Sequence, residues 1–431
     1  MVTEIPLKYG KTSMTLKMEQ EKILQVIESN PVVFDKTEEE LIQEAIEHPI
    51  GSARLCELVH PGEKVCVVIP DLTRAWQKTY LFLPLLVEEL LKGGVAEKDI
   101  FFMCALGTHR KLTAAEHDQL LGPKLAGRFE VVDHDCYDKD NLVHVGTTTF
   151  GTPVSLNKRA LESDHVVLTG GIVYHFLAGW GGGRKYVLPG ISSYETVMAN
   201  HALSLNPERG KGPHPDVRSG NADTNLIHLD MVEAASFLRP TFLFNVITAE
   251  NRIAGAVAGH YLLAHDAGRK MVDEIDGVAI EEQADLVVAS AGGTPKDIEL
   301  YQSIKTLINA RAAVKPGGTM IILTECTEGL GGNEDVRKMI LDYDTVLARE
   351  DDLRADYSIS KYVGYYFCES AEKCELILVS SLPADLLKNA NITIVKTLDE
   401  ALELVYAKRG KDLSVHVMPH AANTLPLLPA K

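Results

Sequence analysis

The sequence predicts an α/β fold: two α/β domains, each built on a mainly parallel sheet covered by helices. Three observations point there. The chain has 431 residues, enough for two domains at ~100–200 residues each. Short apolar runs recur, each followed by a turn and then an amphipathic stretch, the order that makes parallel sheets. That alternation occurs twice, with a break near 275–283, where strand character is lost.

In the first series, residues 65–70 (VCVVIP) read as a buried strand. Leu83, Leu86, Val87, Leu90 and Leu91 follow at helical spacing, and Gly93-Gly94 ends that helix. Residues 100–106 form a second strand. Thr113 and Glu116 then make a capping box that opens a helix. Residues 129–132 and 165–169 are further strands. In the second series, strand 285–290 leads through AGGTPKD into a helix running to about Val314. Lys315-Pro316-Gly317-Gly318 is a turn, and 319–324, 375–379 and 392–395 are strands. Thr397 and Glu400 repeat the capping box before a helix over 398–408. The expected domains are 1–278 and 279–409. Residues 410–431, whose SVHVM alternates, are expected to return to the first.

Composition narrows the function. Hydrophobic residues are 45% and charged residues 24%, an ordinary balance for a soluble globular protein. Forty-three Lys+Arg against 60 Asp+Glu leave a net charge of −17, which argues against non-specific nucleic-acid binding. The seven cysteines are odd in number and lack a C-x-x-C, so neither a disulfide framework nor a Cys-rich zinc site is expected. The N-terminus has no apolar signal-peptide core, and no run of 18 apolar residues occurs. The expectation is a reduced, cytoplasmic protein without a membrane or nucleic-acid partner.

Polar residues cluster just beyond the predicted strands. Asp71 and Arg74 follow the first in DLTRAW, His109 and Arg110 follow the next in ALGTHR, His134 lies in VVDHD, and His175 follows VVLTGGIVY. Ligands of open α/β sheets sit outside the carboxyl ends of the strands. Singly, an Asp there caps a helix and a His is a surface or satisfied core residue; together they mark a site. Residues 178–186 (AGWGGGRKY) place four glycines in five residues beside Arg184 and Lys185. Such a loop exposes backbone N–H groups to an anion, or is simply flexible. It is neither a Walker A loop nor G-x-G-x-x-G. A lysine beside another cation is also the type that forms covalent cofactor links. His201 follows YETVMAN, which reads as helical, and is either a helix-face residue or a ligand; H-E-x-x-H is absent.

These motifs resemble the nickel-dependent lactate racemase family. D-x-T-R (Asp71–Arg74), G-T-H-R (Gly107–Arg110), Y-H-F-x-A-G-x-x-G-G-R-K (Tyr174–Lys185), His201 and L-Y-Q-x-x-K (Leu300–Lys305) occur in the family's order over essentially the whole chain. The resemblance implies a racemase or epimerase of 2-hydroxy acids. It implies a nickel-pincer nucleotide, a pyridinium-3-thioamide-5-thiocarboxylate mononucleotide carrying nickel, tethered to Lys185. His201 would be the protein ligand to the metal, and separate enzymes would synthesise the cofactor. A soft sulfur and imidazole set suits nickel(II). His109 and His175 match the two acid/base residues of a hydride-transfer mechanism, and an imidazole suits both roles near neutrality. Arg74 matches the carboxylate holder, with Asp71, Trp76, Tyr301, Gln302 and Lys305 as further substrate contacts. Thr73, Gly182, Gly183 and Arg184 match cofactor contacts. The active site is then expected in the interdomain cleft, with Gln302 and Lys305 at i and i+3 on one helix face.

Leu72 departs from the polar residue, often His, of lactate-type members. Trp76 either shapes the substrate pocket or packs its loop. The family includes enzymes for malate and sugar acids such as aldonates, so lactate, malate and aldonates all stay open. The oligomeric state stays open too. His134 and the segment 329–333 (GLGGN) match no family role. Two other readings stand beside the family one. One is a zinc or manganese hydrolase using His109, His134, His175 and Asp71, which needs three protein ligands. The other is a non-catalytic phosphate- or nucleotide-binding protein built on AGWGGGRK.

Overall fold

The computed structural model describes residues 1–429. The chain forms two compact units. One comprises Pro31–Ser204 with Asp216–Ile275; the other comprises Met1–Asn30, Leu205–Pro215 and the chain from Asp276 on. Both are α/β with mainly parallel sheets, as the alternation predicts.

The unit containing residues 31–204 holds a six-stranded sheet. Its order is Arg252–Gly259, Phe242–Ala249, His165–Gly171, Val65–Ile69, Ile100–Cys104, Glu130–Asp133. All neighbours are parallel except the first pair. The chain enters at the centre, runs outward through 100–104 and 130–133, then returns to the other side of 65–69 through 165–171. The strand order therefore reverses between 65–69 and 165–171. Val65–Ile69 and Ile100–Cys104 are apolar and buried throughout because both faces are covered, whereas the edge strand Glu130–Asp133 is not. Helix Thr79–Lys92 buries Phe82, Leu83, Leu86, Val87 and Leu90 in one core with Val65, Val67, Ile69, Phe102 and Phe244. Burial at this scale contributes about 1.5–3 kcal/mol per large side chain. The Thr113 capping box is present, and Gly93 caps the 79–92 helix.

The other unit holds six parallel strands in the order Ile392–Val395, Glu375–Val379, Val314–Leu323, Ala284–Ser290, Val415–Met418, Ile23–Val26. Alternate residues serve two cores. Val287, Ala289, Met320 and Ile322 face helix residues Ile304 and Leu307. Leu286, Val288, Ile321 and Leu323 meet Ile5, Leu7, Leu16 and Met18 of the hairpin Val2–Tyr9/Thr12–Glu19. The Thr397 capping box forms as expected.

Four expectations are corrected. Residues 1–30 do not belong with the first sheet: their hairpin covers the second sheet, and Ile23–Val26 extends it. Residues 415–418 likewise stay with the second sheet, hydrogen-bonded between 284–290 and 23–26. The break at 275–283 contains a short strand, Gly277–Ala279, paired with Leu425–Leu427. The Lys315–Gly318 turn is a bulge inside a strand: Ala284 pairs with Val314 and Leu286 with Thr319, and the residues between loop out.

Candidate active site

Three adjacent parallel strands deliver the chemistry. Val65–Ile69 leads to Asp71 and Arg74, Ile100–Cys104 to His109, and His165–Gly171 to His175. The first and last of these flank the point where strand order reverses, where α/β sheets open a crevice for ligands.

Asp71 is the hub of the first constellation. It is 2% exposed, and every partner is local or from the next strand. Its Oδ1 accepts from the backbone N–H of Thr73 at 2.8 Å and from the Thr73 hydroxyl. Its Oδ2 lies 2.6 Å from His109 Nδ1 and accepts from Arg74 Nη1 at 2.7 Å. Burial alone would push the Asp71 carboxyl up. The His109 hydrogen bond, the Arg74 and His109 charges and Thr73 outweigh it and hold the group well below the ordinary carboxylate range. A carboxylate can only accept, so His109 holds a proton on Nδ1, and in the neutral ring the lone pair lies on Nε2. Asp71, expected as a substrate contact, has both oxygens occupied and instead orients His109. Thr73, expected as a cofactor contact, has both its donors on that carboxylate.

The second constellation joins His175 and Lys185. His175 Nδ1 accepts from the N–H groups of Leu177 and Ala178, both at 3.2 Å. Its Nε2 lies 3.1 Å from Lys185 Nζ. His201 sits on helix Tyr194–Ala202, capped by Ser193. Its Nδ1 donates to the Val197 carbonyl at 2.9 Å, which leaves the lone pair on Nε2. At 2% exposure it is no surface residue. Burial, then the Lys185 charge, push its pKa down to about 3, so the ring is neutral at physiological pH. The two constellations are tied together by Tyr186, whose hydroxyl donates to Gln77 at 3.1 Å, and by Gly107 N–H on the Gly190 carbonyl at 3.0 Å.

The glycine-rich segment is neither flexible nor an open anion cradle. Residues 177–184 are all buried. Gly181 N–H donates to the Val173 carbonyl, Gly183 N–H to Asn245 Oδ1 and Lys185 N–H to the Gly182 carbonyl. The glycines answer a packing need: Gly183 has φ +55, and a Cβ there would sit 2.6 Å from His265 Cδ2. Arg184 does not face a phosphate. It is 1% exposed, and its Nη2 donates to the Ala178 and Trp180 carbonyls while Nη1 lies 2.9 Å from His265 Nε2. Burial, then Arg269, push it down to about 9. Gly182, Gly183 and Arg184 thus build the seat under Lys185.

Other expected residues are placed as follows. Arg74 keeps 37% of its side chain exposed, and Trp76 is 40% exposed; Leu72 packs on the core. His134 is structural: Nε2 donates to the Ser192 carbonyl, and Nδ1 accepts from Asn157. Tyr301, Gln302 and Lys305 lie in the other unit. Gln302 precedes helix Ile304–Ala313 instead of lying on it, and Gln302 and Lys305 are exposed. The GLGGN segment backs this turn. Gly329 and Leu330 carbonyls accept from Leu300 and Tyr301 N–H, and a Cβ on Gly331 would strike Glu299. Sequence reading missed Asp71 as the orienter of His109, although an Asp ending the neighbouring strand was the available signal. It also missed Asn245 and His265, whose contacts form only through tertiary packing.

Among the described residues, the only converging group of three His, Cys or carboxylate ligand atoms is Cys104, His117 and Asp133. Asp71, His109, His134 and His175 do not converge as a hydrolase site requires.

Comparisons with known proteins decide the family. The profile described as the lactate racemase N-terminal domain matches residues 9–212, and that of the lactate racemase C-terminal domain matches 279–425. The chain belongs to the lactate racemase family. It is 30% identical to lactate racemase of Thermoanaerobacterium thermosaccharolyticum, over 98% of this chain and 99% of that one. It is 32% identical to lactate racemase of Lactiplantibacillus plantarum, over 96% and 97%. The solved lactate racemase apoprotein from T. thermosaccharolyticum superimposes with a TM-score of 0.90 at 31% identity, covering 99% of this chain and all of that one. A Thermotoga maritima protein at TM-score 0.63 and 19% identity shares the fold. This lactate racemase homologue is accordingly an isomerase, and a non-catalytic binding role is set aside. No helix among the described residues is long and apolar enough to cross a membrane.

Proposed function

We propose that this racemase inverts a small 2-hydroxy acid at C2, with lactate, for which its relatives are named, as the first substrate to test and malate and aldonates next. The observation that carries the reading is the presence of two histidines, His109 on Asp71 and His175 beside Lys185, beyond the carboxyl ends of the two strands that flank Val65–Ile69.

The residues fit a nickel-pincer nucleotide. Lys185 offers a half-buried amine on a rigid seat, and His201 offers a neutral imidazole with its lone pair on Nε2. When bound, that group supplies the acceptor and donor for the C2 hydride. The chain's own residues do the rest. Arg74 grips the substrate carboxylate through its exposed guanidinium. His109 takes the hydroxyl proton at Nε2, and Asp71 stabilises the imidazolium that forms. His175 exchanges a proton through Nε2, because Nδ1 is held by two backbone N–H groups. Inversion needs acid/base groups on both sides of a planar 2-keto acid, and two histidines meet that need. Tyr301, Gln302, Lys305 and Trp76 are proposed substrate contacts. A cytoplasmic location and dependence on cofactor-synthesis enzymes follow from the same reading.

The test uses protein produced with those enzymes and nickel. Enantiopure lactate, malate and aldonates are each followed by chiral chromatography. Inversion of one of them supports the reading; none inverted by nickel-loaded protein contradicts it.

A further inference from the structure

The hairpin that carries His175 is too short to hold itself. Its strands are Tyr174–His175 and Gly179–Trp180, pairing Tyr174 with Trp180 and His175 with Gly179. An isolated two-stranded hairpin is marginal in water even at greater length. Side chains from helix Leu263–Asp276 supply the missing support. Tyr174 Oη donates to Asp273 Oδ1 at 2.6 Å, and Trp180 Nε1 donates to the same oxygen at 3.1 Å. Those two residues are the cross-strand pair next to His175, so one carboxylate oxygen ties both strands a single residue from the imidazole. Arg269 lies over the Trp180 ring at 4.9 Å. His265 meets Arg184 Nη1 at 2.9 Å and the Gly181 carbonyl at 2.8 Å.

Residues 265, 269 and 273 recur every fourth position and share one helix face. That face lies against the segment at four points: Tyr174, Trp180, Gly181 and Arg184. The helix is also close. A Cβ on Gly268 would come within 2.4 Å of Ile172 Cδ1. The segment from 174 to 185 is thereby splinted at both ends, and its ends carry His175 and Lys185.

We propose that Asp273 is a positioning residue for His175, fixing the imidazole against Lys185 by accepting from Tyr174 and Trp180. The proposal rests on the reading of His175 as an acid/base residue. Asp273 touches no reacting group itself. It acts through geometry, and displacement of a reacting group by about 1 Å can cost on the order of 100-fold in rate. Substrate binding through Arg74 lies on a different strand end and does not pass through this contact.

The experiment compares Asp273→Ala and Asp273→Asn with the parent in nickel-loaded protein. The chain has two tryptophans, so 5-fluorotryptophan labelling gives two ¹⁹F signals, with Trp76 as internal reference. Asp273→Ala is expected to shift the Trp180 signal alone and lower kcat 10- to 100-fold, with KM within threefold and the mass added at Lys185 unchanged. Asp273→Asn keeps an oxygen that accepts both bonds and is expected to recover most of kcat. Unchanged kcat in an active Asp273→Ala variant overturns the proposal. So does a loss that Asp273→Asn fails to recover, or one accompanied by loss of the Lys185 adduct, since either marks a general structural role. If the parent inverts no 2-hydroxy acid while the Trp180 signal still moves in Asp273→Ala, the acid/base reading fails and the anchoring of the hairpin stands.

Discussion

Asp71→Asn separates orientation of His109 from mere proximity. Thr73 places two donors on Asp71 Oδ1, whereas His109 Nδ1 and Arg74 Nη1 approach Oδ2. An asparagine keeps its oxygen where the two Thr73 donors hold it. Its NH₂ group then faces His109 and Arg74. His109 Nδ1 has to accept, the ring proton moves to Nε2, and the lone pair that serves as base disappears. Loss of a general base typically costs on the order of 10²–10⁴ in rate. The stability change is smaller. Charge-assisted hydrogen bonds contribute about 1.5–3 kcal/mol each, but His109 and Arg74 side chains are 48% and 37% exposed, so solvent screening leaves about 1–2 kcal/mol in all. The assay is the initial rate of inversion of one enantiomer by nickel-loaded protein, paired with ¹⁵N shifts of the His109 ring. A variant within threefold of the parent, or a ring that keeps its Nδ1 proton, refutes the reasoning.

His201→Ala is expected to abolish nickel binding, read by metal analysis, and to lower the melting temperature modestly because a buried ring is removed; full nickel occupancy contradicts the ligand assignment. Peptide mapping of active, nickel-loaded protein is expected to find a nucleotide-sized adduct on Lys185, and an unmodified Lys185 there contradicts the tether. Acid should destabilise the unit holding residues 31–204. Burial holds His134 low, His201 at about 3 and His228 at about 2, and His265 is pushed well down. Below the ordinary histidine value near 6.5 the unfolded chain takes up protons that the folded chain refuses, so stability present above 6.5 is lost as pH falls toward 3, by up to ~1.4 kcal/mol per pH unit for each group. The melting temperature is therefore expected to drop between pH 7 and pH 5; a flat profile counts against neutral burial.

Local patterns in the sequence were readable because they depend on near neighbours. Strands 375–379 and 392–395 fall where continuous apolar runs end at turns. The boxes at Thr113 and Thr397 close within three residues. Pairing partners were not readable, because they depend on distant chain. Val415–Met418 alternates as a strand should, yet nothing local tells which sheet receives it. The same holds for the site. That His109, His175 and Lys185 occupy strand ends and a glycine-rich turn was visible. What each side chain touches was not: Arg184 turns to His265, 81 residues later, and Asp71 spends its carboxylate on His109. His201, open in the sequence between a helix-face residue and a ligand, is buried by packing that its helix alone does not reveal.

The central claim is that the hydrogen at C2 passes between faces of the substrate without entering water. Substrate carrying deuterium at C2, incubated with nickel-loaded protein in ordinary water and analysed by mass spectrometry after inversion, tests it directly. The account predicts a product of opposite configuration that retains deuterium at C2. Complete replacement of the label by solvent hydrogen during inversion contradicts it, even if His109 and His175 both prove essential.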